Sequence, residues 1–302
     1  MKIVHYHDLD DIQMTELTLA CFHHTYSKEH VKKMVEADKR IPDWGGELYA
    51  VDGDVVLGTV GLLYPRINTE EDLEIVGGIR NVCTRPSASR KGVARRLMEE
   101  AHKRMKEKGV RYSFLMTSKS LVAYDLYVKL GYRDIHRFPA AFKKTEKKST
   151  EVKFEDEVEP DCVRSLYKES VENLQGLIVR EDDYWGMAKA RGWPDTSQLK
   201  TAYQDGEKIG YAMFNKRRKQ MDCVELVAEV EENLTVLIQA LESRAQGRDL
   251  AFYHVTPYLK SVLTKRGCHH YNDTWGRIMV KEWKEKLPLD EDLFHCGIFE
   301  TF

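Results

Sequence analysis

The segment SASRKGVARRLMEEAHKRMKEKG, residues 87–109, carries positive charge where a helix normally carries negative charge. The apolar positions that predict an amphipathic helix are Val93, Leu97, Met98, Ala101 and Met105. The cations near its start are Arg90, Lys91, Arg95 and Arg96, and the first acid is Glu99. A helix N-terminus is the positive end of the dipole and favours acids. The pattern therefore predicts an anion-binding site, with a solvent-exposed basic helix end as the alternative.

The preceding segment DLEIVGGIRNVCTRP, residues 72–86, favours a strand that runs into a tight turn. A strand, a glycine-containing turn and a helix N-terminus together can hold phosphate on free backbone N–H groups. Gly92 would allow the backbone to approach such a ligand closely. A P-loop is excluded because G-x-x-x-x-G-K-[ST] is absent, and a dinucleotide fingerprint is excluded because the turn has one glycine.

Two motifs in residues 1–145 resemble those of the GCN5-related N-acetyltransferases (GNAT). NVCTRPSASRKGVARRLM is similar to the family motif V-x-P-x-x-[RQ]-x-x-G-x-[GA], whose positions are occupied here by Thr84, Pro86, Ser89, Gly92 and Ala94. YSFLMTSKSLVAYDLYVKLGYRD is similar to the later motif N-x-x-A-x-x-x-Y-x-x-x-G-[FY], occupied here by Ser120, Ala123, Tyr127, Gly131 and Tyr132. Ser89 stands where the family pattern has [RQ], and the positive charge lies instead on the two following residues.

The resemblance implies that acetyl-CoA is the cosubstrate and that the turn holds its pyrophosphate. The residues it assigns to this binding site are Val82, Cys83, Thr84, Ser89, Arg90, Lys91, Gly92, Val93, Ala94, Arg95 and Ser120. It also implies that a backbone N–H of residues 82–84 stabilises the oxyanion.

Acetyl transfer from a thioester to an amine needs a neutral nitrogen and a proton for the departing thiolate. The resemblance assigns the proton donor to Tyr127, although the spacing of Tyr124 and Tyr127 also suits ordinary helix packing. Cys83 lies beside the expected thioester site, but no base is near it in the sequence, which favours a passive thiol over an acetyl relay.

Recognition of the acceptor amine is less clearly encoded. EADKRIPDWGGELY, residues 36–49, places Asp38, Asp43 and Glu47 around Trp44, which would suit a cationic amine; the alternative is a polar loop with a packed tryptophan. Glu47 and Glu74 are the carboxylates of the first half considered as bases.

The C-terminal segment LFHCGIFETF is too apolar to remain in water, so we expect it to dock on the fold. Resemblance to the enhanced-intracellular-survival (Eis) branch of the family implies a terminal carboxylate as base. The corresponding hypothesis is that Phe302 accepts the amine proton while Tyr127 protonates the thiolate. The alternative is a tail that only seals an apolar seam.

The elements that would position these residues occur twice along the 302-residue chain. Residues 49–63 and 201–214 both read as strand, D-G turn and strand, and residues 126–134 and 258–273 both read as a helix ended by glycine and then a strand. The predicted fold class is α/β (α+β), with two tandem GNAT-like domains, each a mixed and mostly antiparallel sheet flanked by helices. The predicted boundaries are 1–148 for a catalytic domain and 149–302 for a degenerate one.

The second copy is expected to lack the anion site. Residues 224–247 keep the apolar helix but contain no glycine before its end, and its entrance carries Glu229, Glu231 and Glu232. This half would serve as a scaffold that covers the acceptor cleft or contacts another copy of the chain in a homo-oligomer.

The composition narrows the function class. With 42% hydrophobic residues, 32% charged residues and a net charge of −2, the chain is typical of a soluble globular protein and not of a nucleic-acid binder. No run of 18 apolar residues indicates a membrane span, and six widely spaced cysteines indicate reduced thiols in the cytoplasm. The pairs His23-His24 and His269-His270 lack a suitably spaced third ligand, so no metal is expected.

Two functions follow from the sequence. The first is an acetyl-CoA-dependent N-acetyltransferase that acts on a primary amine of a small molecule or a lysine side chain by direct attack. The second, suggested by Ser89 and by the degenerate second half, is a non-catalytic acyl-CoA sensor or interaction module.

Overall fold

The structure is a computed structural model that describes residues 1–146, 149, 151–156, 158–272 and 274–300. These residues form eight α-helices and eighteen strands, which are arranged in three sheets. The mixed α/β class expected from the sequence is confirmed.

The first sheet has seven strands, of which only the neighbours β6 and β7 are parallel to each other. In spatial order they are β1 (Lys2–His5), β2 (Glu47–Asp52), β3 (Val55–Leu63), β6 (Gly77–Thr84), β7 (Tyr112–Thr117), β17 (Arg277–Glu282) and β8 (Arg133–Arg137).

Successive side chains of these strands point to opposite faces of the sheet, and many on each face are apolar. Helices therefore cover both faces. Leu48 and Ala50 of β2 pack toward α3 (Val93–Glu107) and α4 (Ala123–Lys129). Tyr49 packs in a cluster with residues of α1 (Asp11–Phe22) and α2 (Lys28–Ala37).

The second sheet repeats this order with different sequence. Its strands are β10 (Lys153–Glu155), β12 (Leu199–Gln204), β13 (Glu207–Lys216), β14 (Gln220–Val227), β15 (Asp249–Phe252), β9 (Ala140–Lys144) and β16 (His269–Tyr271). The neighbours β14 and β15 are again parallel. Its helices are α5 (Pro160–Ser170), α6 (Tyr184–Arg191), α7 (Glu231–Ala245) and α8 (Pro257–Lys265).

The two halves exchange one strand each. β9 comes from the first half but lies between β15 and β16, and β17 comes from the second half but lies between β7 and β8. The two exchanged strands occupy the same position in their sheets. The boundary between residues 148 and 149 stays a prediction, and because of the exchange no single cut in the chain separates the two sheets.

A small third sheet joins the halves and receives the C-terminal segment. It contains β18 (Phe294–Cys296), β11 (Gln175–Leu177), β4 (Arg66–Asn68) and β5 (Leu73–Ile75) in that order. Phe294, Ile298 and Phe299 are buried, as expected for an apolar tail that docks on the fold. Within the residues listed above, none of the helices combines the length and the apolar character needed to cross a bilayer.

Candidate active site

The parallel strands β6 and β7 separate along their length. Their pairing consists of Gly77 with Ser113, Gly78 with Phe114 and Ile79 with Leu115, although β6 continues to Thr84. Asn81 has φ 51°, and the register of β6 against β3 shifts at this point, which is the signature of a β-bulge. The bulge bends β6 away from β7 and leaves a wedge-shaped opening in the sheet.

Backbone amides of β6 line this opening. The N–H of Arg85 donates to the Leu57 oxygen of β3 at 2.7 Å. Because the N–H groups of a strand alternate in direction, the N–H of Cys83 after the bulge also points to β3, and that of Thr84 points to the opening. This donor lies within the residues 82–84 for which a role at the oxyanion is expected.

The turn after β6 has a left-handed backbone at two positions. It consists of a 3₁₀ turn over Pro86–Ala88 and then Ser89, Arg90, Lys91 and Gly92. Arg90 has φ 61° and Gly92 has φ 79°. A Cβ built on Gly92 would meet no atom within 4 Å, so its α-carbon faces open space. Alternating backbone conformations of this kind turn successive N–H groups to one side, where they can hold an anion.

The start of α3 adds further unpaired donors. The N–H of Arg96 donates to the Gly92 oxygen at 3.1 Å, so Val93, Ala94 and Arg95 precede the first hydrogen bond of the helix. The first turn contains no acid. Arg95 forms an exposed ion pair with Glu99 at 3.7 Å. The geometry is that of an anion site at a helix N-terminus, which favours this prediction over a merely solvated helix end.

The corresponding place in the second half has a different structure. Only Ala228, Glu229 and Val230 connect β14 to α7, whose first turn carries Glu231 and Glu232. When the glycines that end α4 and α8 are aligned, the position of Tyr127 is occupied by Leu263, which is fully buried. The second half therefore has neither the turn nor the phenol.

Tyr127 lies in the core between α3, α4 and the first sheet. Its ring belongs to the same apolar cluster as Ile79, Leu97 and Leu115, so it lies beside the point where β6 and β7 separate. Burial raises the pKa of Tyr127 to about 12, and within the described part of the chain its hydroxyl has no hydrogen-bond partner. In contrast, the Tyr132 hydroxyl is 2.6 Å from Ser113 Oγ. Tyr127 is thus a protonated phenol that is free to donate.

Ser120 and Cys83 occupy different environments near the opening. Ser120 is exposed in the turn between β7 and α4, with its Oγ 3.0 Å from the Oγ of Ser118. Cys83 is buried among apolar side chains of α1 and β2, and this burial raises the pKa of its thiol. A neutral thiol is a poor nucleophile, which agrees with the passive role favoured by the sequence.

The acids expected around Trp44 do not converge on it. Arg104 of α3 places its guanidinium 4.9 Å from the indole centre, and the ring of His5 is 4.9 Å away. Asp38 is instead paired with Arg40 at 2.8 Å. An amine site around Trp44 stays a prediction, and the stacking of the indole on a cation of the protein itself favours the alternative of a packed tryptophan.

Glu47 lies behind the opening instead, on the face covered by α1 and α2. Its Oε1 accepts from Asn81 Nδ2 at 3.1 Å and is 3.0 Å from a guanidinium nitrogen of Arg80. Its Oε2 accepts from Thr59 Oγ1 at 3.4 Å. Burial raises the pKa of Glu47 despite the neighbouring Arg80. A glutamate in an otherwise apolar strand, ELYAV, is the sequence signal for this position.

The other candidate bases are placed elsewhere or not described. Glu74 forms a bidentate pair with Arg111, with both distances 2.9 Å, close to the C-terminal end of α3 and far along the helix from Gly92. Phe302 lies outside the described residues. Glu300, just before it, is buried and 2.9 Å from Nε of Arg180, whose guanidinium also pairs with Glu225.

The histidine pairs gain no partners for metal binding. Within residues 1–146, 149, 151–156, 158–272 and 274–300, no group of three or more His, Cys, Asp or Glu side chains is arranged to hold a metal ion.

Comparison with known proteins identifies the fold and the domain. Residues 5–135 match the family described as acetyltransferase (GNAT) domain. No protein of curated function matches the chain. Among solved structures, a protein of Enterococcus faecalis V583 described as a probable N-acyltransferase is similar with a TM-score of 0.67 and 13% identity, over 93% of this chain and 72% of that one.

Two further structures are similar over nearly the whole chain. A GCN5-related N-acetyltransferase from Kribbella flavida has a TM-score of 0.61 and 16% identity, covering 93% of this chain and 71% of the other. Eis1 from Mycobacterium abscessus has a TM-score of 0.59 and 13% identity, covering 91% and 73%. At these identities the likeness establishes the shared fold.

Proposed function

We propose that this chain, whose residues 5–135 match the acetyltransferase (GNAT) domain, transfers the acetyl group of acetyl-CoA to a primary amine, on a small molecule or a lysine side chain. Transfer is by direct attack of the amine on the thioester. The first half binds the cosubstrate, and the degenerate second half, roughly residues 149–302, completes the first sheet and covers the acceptor side.

The observation that carries the proposal is the shared location of three features. The opening between β6 and β7, the left-handed turn at Arg90 and Gly92, and the Tyr127 phenol all adjoin the N-terminal end of α3 or the strands beside it. A pyrophosphate held by the turn and the helix N-terminus would allow the attached thioester arm to extend along β6. Arg90, Lys91 and Arg95 supply the countercharge.

Each step of the transfer then has a group in this site. The N–H groups at the end of β6, among residues 82–84, would donate to the arm and to the oxyanion of the tetrahedral intermediate. When the C–S bond breaks, Tyr127 donates its proton to the thiolate. A phenol with a pKa of about 12 remains protonated at neutral pH, so the donor is in the correct state before each turnover.

A thiol-release assay tests the proposal. Purified full-length protein is incubated with acetyl-CoA and with polyamines, lysine peptides or aminoglycosides, and free CoA is measured against reactions without an amine. Amine-dependent release, with the acetylated product seen by mass spectrometry, is the expected result. Binding of CoA without turnover on any amine would instead support the acyl-CoA sensor suggested by Ser89.

A further inference from the structure

Two cysteines that are far apart in the sequence meet behind the strand that forms the opening. Cys21 lies in the last turn of α1, and Cys83 lies in β6, among the residues whose N–H groups are proposed to serve the thioester. Cys83 is buried in the apolar cluster beneath α1 and α2, and Cys21 is partly exposed and packs against the same cluster. The pair therefore joins a thiol that solvent reaches to a thiol beside the opening.

The two thiols interact directly. Burial raises the pKa of the Cys83 thiol, and a hydrogen bond to the Cys21 thiol and the charge of that group raise it further. A second contact fixes α1 against this part of β6, because Glu16 of α1 pairs with Arg85, the residue that follows β6, at 3.2 Å. The two sulfur atoms are thus neighbours in the folded protein, and no rearrangement of the fold is needed to bring them together.

The second half places its cysteines differently. Cys162 of α5, the helix that corresponds to α1, is also partly exposed, but its thiol is hydrogen-bonded to Lys208. Cys223 of β14, the strand that corresponds to β6, packs with α7 and α8 on the other face of the second sheet. The contact between two thiols is therefore a property of the first half, and Cys162 is a matched control for the reactivity of a partly exposed cysteine.

We propose that Cys21 and Cys83 form an oxidation site, at which a hydroperoxide converts the two thiols into a disulfide that slows acetyl transfer. The effect on transfer rests on the proposed function, whereas the formation of the disulfide is measured without any substrate.

The oxidation takes two steps. The Cys21 sulfur attacks one oxygen of the hydroperoxide ROOH, the O–O bond breaks, and the thiol proton passes to the leaving oxygen, which gives Cys21 sulfenic acid and ROH. The Cys83 thiol then loses its proton, its sulfur attacks the Cys21 sulfur, and the S–O bond breaks with release of water. Two thiols and ROOH thus become one disulfide, ROH and one water molecule, and the hydroperoxide accepts both electrons.

The exposure of the two side chains sets the order of the steps. Cys21 meets the oxidant first because it is partly exposed, whereas Cys83 is only 8% exposed. A neutral thiol is a slow nucleophile in solution. The contact with Cys21 makes the attack of Cys83 intramolecular, and an intramolecular reaction with the groups already in place is far faster than the same reaction between separate molecules.

A disulfide at this place changes the geometry of the opening. Its sulfur atoms are about 2.05 Å apart, closer than two thiols in contact, so α1 or β6 must shift. β6 is tightly packed here, since a Cβ built on Gly58 of β3 would lie 2.5 Å from the Cys83 oxygen. A shift of β6 would move the N–H groups among residues 82–84, and a shift of α1 would move Phe22, which lines the same small cavity as the bulge residue Asn81. A misplacement of about 1 Å can cost about 100-fold in rate.

The first measurement is a map of the disulfide. Purified full-length protein is reduced, freed of reductant and treated with hydrogen peroxide, and its free thiols are then alkylated before digestion. Mass spectrometry should show the Cys21 peptide joined to the Cys83 peptide with the loss of two hydrogen atoms, and dithiothreitol should separate them. In Cys83→Ala, dimedone, a reagent for sulfenic acids, should label Cys21.

The second measurement is the rate of amine acetylation, followed by mass spectrometry of the product so that peroxide and reductant do not disturb the detection of free CoA. After removal of the peroxide, the oxidised protein should react at least tenfold more slowly, and dithiothreitol should restore its rate. Cys21→Ser should keep the untreated rate and lose the response to peroxide, and Cys21→Ala serves the same purpose if the serine variant does not fold. The matched control Cys162→Ser should respond to peroxide as the wild type does.

The outcomes separate the oxidation site from the proposed function. If the oxidised wild-type protein yields no joined peptide of Cys21 and Cys83, or if Cys21→Ser still loses its rate on treatment, the inference is overturned and acetyl transfer stands. If the disulfide forms and the rate does not change, its control of transfer is overturned. If the wild-type protein acetylates no amine, the proposed function fails and the control of transfer fails with it, while the peptide map still decides whether the oxidation site exists.

Discussion

A carboxylate placed at residue 92 should prevent CoA binding, and the structure allows the size of the effect to be estimated. Gly92 has φ 79°, and a Cβ added there faces open space on the side of the free amides. An L-residue in this conformation costs about 1–2 kcal/mol. Because this backbone strain is present with or without the ligand, it lowers the free energy of unfolding more than the affinity for CoA. Gly92→Ala therefore measures strain and bulk alone.

Gly92→Glu adds charge repulsion to these effects. A carboxylate about 4 Å from a phosphate charge at an effective dielectric constant between 20 and 80 costs about 1–4 kcal/mol. We therefore expect the Kd for CoA to rise by roughly 10 to 10³-fold relative to Gly92→Ala. Because this part is electrostatic, the gap between the two variants should narrow when the salt concentration is raised.

Val230→Glu supplies the matched control for titration calorimetry. Val230 caps α7 at the place that corresponds to Gly92 and is 47% exposed in an extended conformation, so a glutamate fits there without strain. This variant should bind one CoA per chain with wild-type affinity. Wild-type affinity of Gly92→Glu, an equal loss in Val230→Glu, or two equivalent sites per wild-type chain would refute the assignment of a single pyrophosphate site to the first half.

Three further predictions follow from the same geometry. Tyr127→Phe should lower kcat by roughly 10²–10⁴-fold with unchanged CoA affinity, whereas Tyr124→Phe, one turn earlier on the helix with its hydroxyl on Asp134 at 3.0 Å, should keep its rate in the same thiol-release assay. Residues 1–148 expressed alone should be insoluble or inactive because β17 is missing between β7 and β8, and co-expression with residues 149–302 should restore soluble, active protein. Burial lowers the pKa of His102 and of His136 to about 4, so as the pH falls below about 6.5 these histidines take up protons in the unfolded chain before they do so in the folded protein. Urea titrations should therefore show that the free energy of unfolding decreases from pH 7 to pH 5, by on the order of 2 kcal/mol for each of the two histidines.

The turn and helix start at which an anion site is proposed could be predicted from the sequence because they depend on local features. The dipole of a helix, the charge of its first residues and the conformational freedom of Gly92 all act within one short segment. The amphipathic helix expected between Gly92 and Gly109 is observed as Val93–Glu107. The repeated hairpins are likewise local, and β2 with β3 and β12 with β13 appear where the D-G turns predicted them.

The surroundings of Glu47 and Trp44 could not be predicted because they depend on which face of a strand each residue occupies. Glu47 and Leu48 are neighbours in the sequence, but Glu47 faces α1 and α2, and Leu48 packs against α3. Trp44 is drawn to the end of α3 by Arg104, a contact across 60 residues that no local pattern records. The hydrogen bond from Asn81 to Glu47 likewise depends on the bulge at Asn81, a non-glycine residue with positive φ.

The strand exchange makes the second half a structural part of the first sheet, although the described residues of the second half form no turn like the one at Arg90 and Gly92. β17 pairs with β7 over six residues, from Arg277 with Thr117 to Glu282 with Tyr112, and thus supports the strand that forms one side of the opening. Its Met279 belongs to the same buried cluster as Tyr127. Without β17, β7 would present an unpaired edge and the cluster around the phenol would lose a fully buried side chain. In the same way, β9 of the first half fills the position between β15 and β16 in the second sheet. Neither half can therefore complete its core without the other. The sheet of the first half therefore needs the fold of the second half, although the second half has a three-residue connection before α7 and the buried Leu263 where the first half has its turn and Tyr127.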